Sequence, residues 1–126
     1  MPVDFSQAIP DPALFDTAAE SVAQRLVAEA DRSPTMNKTA QIRRFYDELV
    51  GWQERIAGDD EKFHQYEAFI RMLNAKVAYA KGRKLVGEDF ERWFRECIKS
   101  TVNATALNHF RLHFEAVLGF LKALRG

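Results

Sequence analysis

The sequence predicts an all-α fold, a single-domain bundle of about five helices, on three observations. Apolar residues recur at i, i+3, i+4 and i+7 through five successive stretches, the mark of helices with one buried stripe. No stretch shows the alternating period of a strand. All four prolines, Pro2, Pro10, Pro12 and Pro34, fall in the first 34 residues, so the rest of the chain lacks the residue that breaks helix interiors.

Each element has its own signals. Residues 1–10 read as an irregular arm. Asp11 is an N-cap with Pro12 at the first helical position, opening an acidic helix over residues 11–31. Its Leu14, Phe15, Ala18, Val22, Leu26 and Val27 keep helical spacing, and Ser33-Pro34 stops it. A second helix spans residues 39–57, with Ile42, Phe45, Tyr46, Leu49, Trp52 and Ile56 as its stripe and Gly58 as a left-handed terminator. Asp59-Asp60-Glu61 places negative charge at the start of a third, running to Lys81 or Lys84. Gly87-Glu88-Asp89 opens a fourth, with Phe90, Trp93, Phe94, Cys97 and Ile98 facing inward and its end near Ser100. Asn103 caps the last, residues 104–124, whose Leu107, Phe110, Phe114, Val117, Leu121 and Leu124 form a narrow bundle seam.

Composition narrows the class. With 126 residues and 47% hydrophobic content the chain is sized for one globular core without a metal or disulfide staple. The single cysteine, Cys97, excludes an internal disulfide and fits a reducing compartment. No apolar run approaches the ~20 residues of a membrane span, and the N-terminus lacks a signal-peptide pattern. A soluble, cytoplasmic protein with no membrane partner is expected. Formal net charge is zero, with 18 basic and 18 acidic residues, but the zero hides a split. Residues 1–37 hold two basic and six acidic residues, leaving sixteen basic and twelve acidic in residues 38–126.

The densest basic window, Ala68 to Gly87, holds Arg71, Lys76, Lys81, Arg83 and Lys84 and no carboxylate. It also carries Phe69, Ile70, Met72, Leu73, Val77 and Tyr79. On a helical wheel Ile70, Leu73, Val77 and Ala80 form the core face, while Phe69 and Met72 lie within about 40° of Lys76 and Arg83 about 20° from it. Neither Lys76 nor Arg83 has a carboxylate three or four positions away. Two partners are open: a tertiary ion pair, for example to Glu115, or phosphates, with Tyr79 placed to stack or to donate. Arg43-Arg44 on the second helix reads either as a solvated pair served by Asp47 and Glu48 or as further phosphate contacts.

Other chemistry is weaker. His109 and His113 stand i, i+4, a spacing that can bind zinc, but the glutamate between them in zinc hydrolases is missing and no fourth ligand is evident. They read as helix-flank residues, and Cys97 as a small core residue. No metal, no cofactor and no catalytic residue is indicated.

Three blocks resemble the small helical subunit of the type III-A CRISPR effector, the Csm complex. They are Gln41-Ile42-Arg43-Arg44-Phe45, then Leu73-x-x-Lys76-x-Ala78-Tyr79-x-x-Gly82-Arg83, then Phe110-x-x-x-Phe114-Glu115-Ala116-Val117. They span roughly residues 38 to 124 in the family's order. One position departs, Phe120, where the family's block has tyrosine. The resemblance implies a compact, all-helical, non-catalytic subunit present in several copies. It implies as partners the guide RNA, the target RNA, other Csm-complex subunits and copies of itself. It carries Arg43, Arg44, Lys76 and Arg83 over as basic positions; Tyr79, Lys81 and Lys84 join them as RNA-binding candidates from the charge reading. The alternative is a helical interaction or dimerisation module with no nucleic-acid role, motivated by the aromatic content and the seam on the last helix.

Overall fold

A computed structural model describes residues 3–126 as a short 3-10 turn, Pro12–Phe15, and six α-helices. These are α1 Thr17–Arg32, α2 Thr39–Ile56, α3 Asp60–Arg71, α4 Leu73–Gly82, α5 Glu88–Ser100 and α6 Ala104–Arg125. No strand occurs among the described residues, as the hydrophobic periodicity predicts. The expected third helix is interrupted at Met72, giving α3 and α4. No proline or glycine marks that point, and Met72 keeps helical dihedral angles (φ −63°, ψ −19°), so α4 carries on the helical path of α3.

The expected helix over residues 11–31 is also split. Asp11 does cap its start, accepting from the Ala13 N–H at 3.0 Å, but Asp16 leaves helical geometry (φ −137°, ψ −106°). The break releases the Leu14 carbonyl, which accepts a hydrogen bond from His113 Nδ1 instead of from the helix.

Helix α6 lies at the centre, with α1 and α2 packed along it; α5 joins α1 and α4, and α3 leans on α2. Its buried set, Ala104, Ala106, Leu107, His109, Phe110, His113, Phe114, Val117, Leu118 and Leu121, is broader than the narrow seam expected. The reason is geometric: a helix covered from more than one side must be apolar around much of its circumference. Aromatic rings fill the middle. Trp93 meets Phe114 edge-on at 5.0 Å, and Phe94 meets Phe110 at 5.7 Å.

The arm of residues 3–10 is irregular in backbone, yet it is part of the core. Phe5 is fully buried and stacks on Phe110 at 5.5 Å. Its N–H donates to Ser100 Oγ at 2.7 Å, and its carbonyl pairs with His109 Nδ1 at 2.9 Å. His113 is fully buried and pinned at both ring nitrogens, Nδ1 by Leu14 and Nε2 by the Trp93 indole N–H at 3.0 Å. Both histidines are therefore core clasps that fasten the N-terminal segment to α6, and the expectation of helix-flank residues is corrected. Both nitrogens of His113 are engaged, and His109 Nδ1 is taken by the Phe5 carbonyl, so the two rings are not arranged as a ligand pair. Among the described residues no group of three His, Cys, Asp or Glu side chains converges as a metal site. Burial pushes the Cys97 thiol well above its ordinary range, so it is a core residue.

Glu29 and Asn37 hold the other end of the bundle. The buried Glu29 carboxylate accepts from Asn37 Nδ2 at 2.9 Å and from the Asp89 N–H at 2.8 Å, capping α5. Asn37 also donates to the Leu26 carbonyl and accepts from the Gly87 N–H. Asp59 caps α3, and Asp60 reaches across to accept from the Ala104 N–H at 3.0 Å, so the acidic cluster caps two helices.

Candidate nucleic-acid interface

Helix α4 is half buried. Leu73, Val77 and Ala80 face the core and Ile70 continues that face into α3, while Phe69, Met72 and Tyr79 stand 53%, 59% and 67% exposed. The sequence suggests a buried helix carrying unpaired cations; the structure divides it into an apolar inner face and an outer face of aromatic and basic residues. Phe69, Met72, Lys76, Tyr79 and Arg83, spaced three, four, three and four apart, are all exposed. At 100° per residue they fall within about 80° of arc, one stripe along the outside.

Lys76 has a partner, but not Glu115. Its ammonium donates to Glu48 Oε1 at 2.6 Å, 28 residues back on α2, with both side chains substantially exposed. Glu115 instead accepts from the Tyr46 hydroxyl at 2.7 Å, and burial, with that carboxylate's help, raises the phenol above its ordinary value. Arg83 has no carboxylate within 4 Å among the described residues; its guanidinium lies 5.8 Å from the Tyr79 ring. Lys81 points elsewhere, to Glu91 on α5 at 3.2 Å.

Helix α4 ends in paired terminal hydrogen bonds: Leu85 N–H donates to the Ala80 carbonyl and Lys84 N–H to the Lys81 carbonyl. That pattern puts a left-handed residue after the helix, usually glycine. Here it is Lys84, with φ 63°, and not Gly82, which ends the helix in ordinary geometry.

Arg43 and Arg44 separate. Arg43 lies over Tyr46, 5.9 Å from its ring, in a groove between α2 and α6 lined also by Glu115, Leu118 and Lys122. Arg44 is one helical turn before Glu48 and shares the flank of α2 that meets Lys76. Neither arginine has a carboxylate within 4 Å among the described residues. The suggestion that Asp47 and Glu48 serve them is corrected, because Glu48 is engaged by Lys76. The structure thus gathers Lys76, Tyr79 and Arg83 on one stripe, with Lys84 at its end and Arg44 beside it. Arg43 and Lys81 lie off it. Phe69 and Met72, beside Lys76 on the helical wheel but outside the sequence-predicted set, complete the stripe.

No helix among the described residues is long and apolar enough to cross a membrane. A family model, Csm2 Type III-A, matches residues 11–126, which takes in the N-terminal helix that the three blocks did not reach. No curated protein and no solved structure matches the chain.

Proposed function

The chain belongs to the Csm2 Type III-A family, the small subunit of the type III-A CRISPR complex, and from that premise we propose that it binds RNA backbone without catalysis. On this reading it serves antiviral defence in the cytoplasm, contacting the guide–target RNA region beside copies of itself and other Csm-complex subunits. The observation that carries it is the stripe on α3 and α4. Lys76, Tyr79 and Arg83 are exposed and aligned, and Arg83 has no ion-pair partner among the described residues. Cations on such a surface supply affinity and position, while guide–target pairing supplies sequence selection.

The Lys76–Glu48 pair fits this reading. An exposed ion pair contributes about 0–1 kcal/mol to stability, so a phosphate can displace the carboxylate at little cost. The test is a labelled RNA titration at two salt concentrations with three variants. Lys76→Ala and Arg83→Ala weaken binding several-fold and leave the melting temperature within a few degrees of wild type. Glu48→Gln, which frees Lys76, strengthens binding. Salt-independent binding, or a Glu48→Gln variant that binds more weakly, refutes a phosphate interface here.

A further inference from the structure

The outer face of α3 and α4 carries more flat aromatic surface than phosphate binding uses. The exposed Phe69 ring lies parallel to Trp52 on α2, centroids 5.7 Å apart and planes within 7°. The Arg55 guanidinium lies over the same indole at 5.1 Å, and Tyr66 tilts against it at 5.4 Å. Phe69 is therefore not a loose surface hydrophobe. Its orientation is fixed by a stack beneath it, and roughly half of its surface stays in water. Ten residues on, about 15 Å along the helix, Tyr79 repeats the arrangement, a mostly exposed ring beside the Arg83 guanidinium. Lys76 stands between the two rings.

A paired duplex keeps its bases stacked on one another, so exposed rings gain nothing from it. An unpaired strand offers base faces and phosphates in alternation, which is the order of groups along this stripe. We propose that the stripe is a stacking platform for unpaired RNA. Phe69 and Tyr79 each take one base face, Lys76 holds the phosphate between them, and Arg83 holds the phosphate beyond Tyr79. This rests on the phosphate-binding reading above and narrows its ligand, within or beside the guide–target region, to nucleotides that are unpaired and free to stack. Stacking on a ring tolerates any base, so sequence-independent binding is kept.

The test uses the full chain and three ligands of equal length: oligouridylate, an abasic ribose-phosphate strand, and a fully paired RNA duplex. Oligouridylate binds at least about thirtyfold more tightly than the abasic strand, and more tightly than the duplex. Phe69→Ala and Tyr79→Ala remove that advantage while abasic binding stays unchanged. Phe69→Leu, which keeps an apolar side chain but no flat ring, behaves like Phe69→Ala. Both positions are exposed, and the melting temperature of each variant confirms folding. If the abasic strand binds as well as oligouridylate while Lys76→Ala weakens both, the platform is refuted and the phosphate reading stands. If neither strand binds, the phosphate reading itself falls. If Phe69→Ala changes no RNA affinity but loses a neighbouring subunit, the rings serve a protein contact and the platform is refuted.

Discussion

Lys84 occupies a backbone position where a side chain is a burden. Left-handed geometry costs a residue with a Cβ about 1 kcal/mol or more, and glycine nothing. The terminal hydrogen bonds of α4 hold Lys84 there, exposed, at the end of the basic stripe. A lysine kept where glycine is easier is consistent with a use for its charge. Lys84→Gly raises stability by ~1 kcal/mol in urea unfolding and lowers RNA affinity; a variant that gains stability without losing affinity removes Lys84 from the interface. Gly87 presents the converse case. A Cβ there would overlap the Glu29 carboxylate, itself fixed by Asn37 and by the α5 N-terminus. Gly87→Ala therefore destabilises by about 1–3 kcal/mol, the cost of overpacking a built core. The same measurement on Gly51→Ala, where the added methyl meets open space, shows no overpacking penalty.

Among the elements, the N-terminal arm and α6 show where the sequence was legible and where it stopped. Helices α2, α5 and α6 came within a residue or two of their predicted bounds, because each has a strong stripe and a recognisable terminus. The breaks at Asp16 and Met72 left no local mark; the first is tied to a tertiary bond from His113, 99 residues away. Lys76 illustrates the same limit at the interface. Its helix offered no carboxylate, and the one it found is on α2, where only the fold could place it. The arm read as irregular, which its backbone is, but Phe5 gave no periodic signal of burial. Its attachment makes a pH prediction. Burial lowers the His113 pKa below the ordinary 6.5, outweighing the Leu14 carbonyl that favours the proton. Below pH 6.5 the unfolded chain takes up a proton that the native ring resists, so stability is intact above that pH. It falls as pH drops from 6.5 toward the native value, by at most ~1.4 kcal/mol per pH unit. Unfolding curves between pH 7.5 and 5 measure this slope. In His113→Gln, which keeps a donor and an acceptor without a titrating proton, the slope is reduced; an unchanged slope assigns the effect to other groups.

Across the whole molecule, zero net charge is a spatial arrangement. The acidic excess lies in residues 1–37, whose α1 packs on α6 and α5, while the cations of the stripe lie on α4 and just after it, where α4 meets α5. One protomer thus offers RNA a limited set of cations, chiefly Lys76, Arg83, Lys84 and Arg44, and zero net charge overall lets copies approach without strong repulsion. Counterion release then sets the salt dependence. About four neutralised phosphates on a single strand give a slope of log affinity against log salt near −3. Such a protomer binds weakly alone, and neighbours on one RNA convert later contacts into intramolecular ones, so affinity rises with the number of copies the strand can hold. Titration of a short strand that accommodates one copy should show the shallow slope, and a strand several times longer should bind more tightly with a steeper one. A short-strand slope near −6 would place more of the basic residues in contact than this stripe contains, moving the interface toward the α2–α6 groove where Arg43 and Lys122 lie. A long strand that binds no better per site than the short one would mean that copies do not cooperate on RNA.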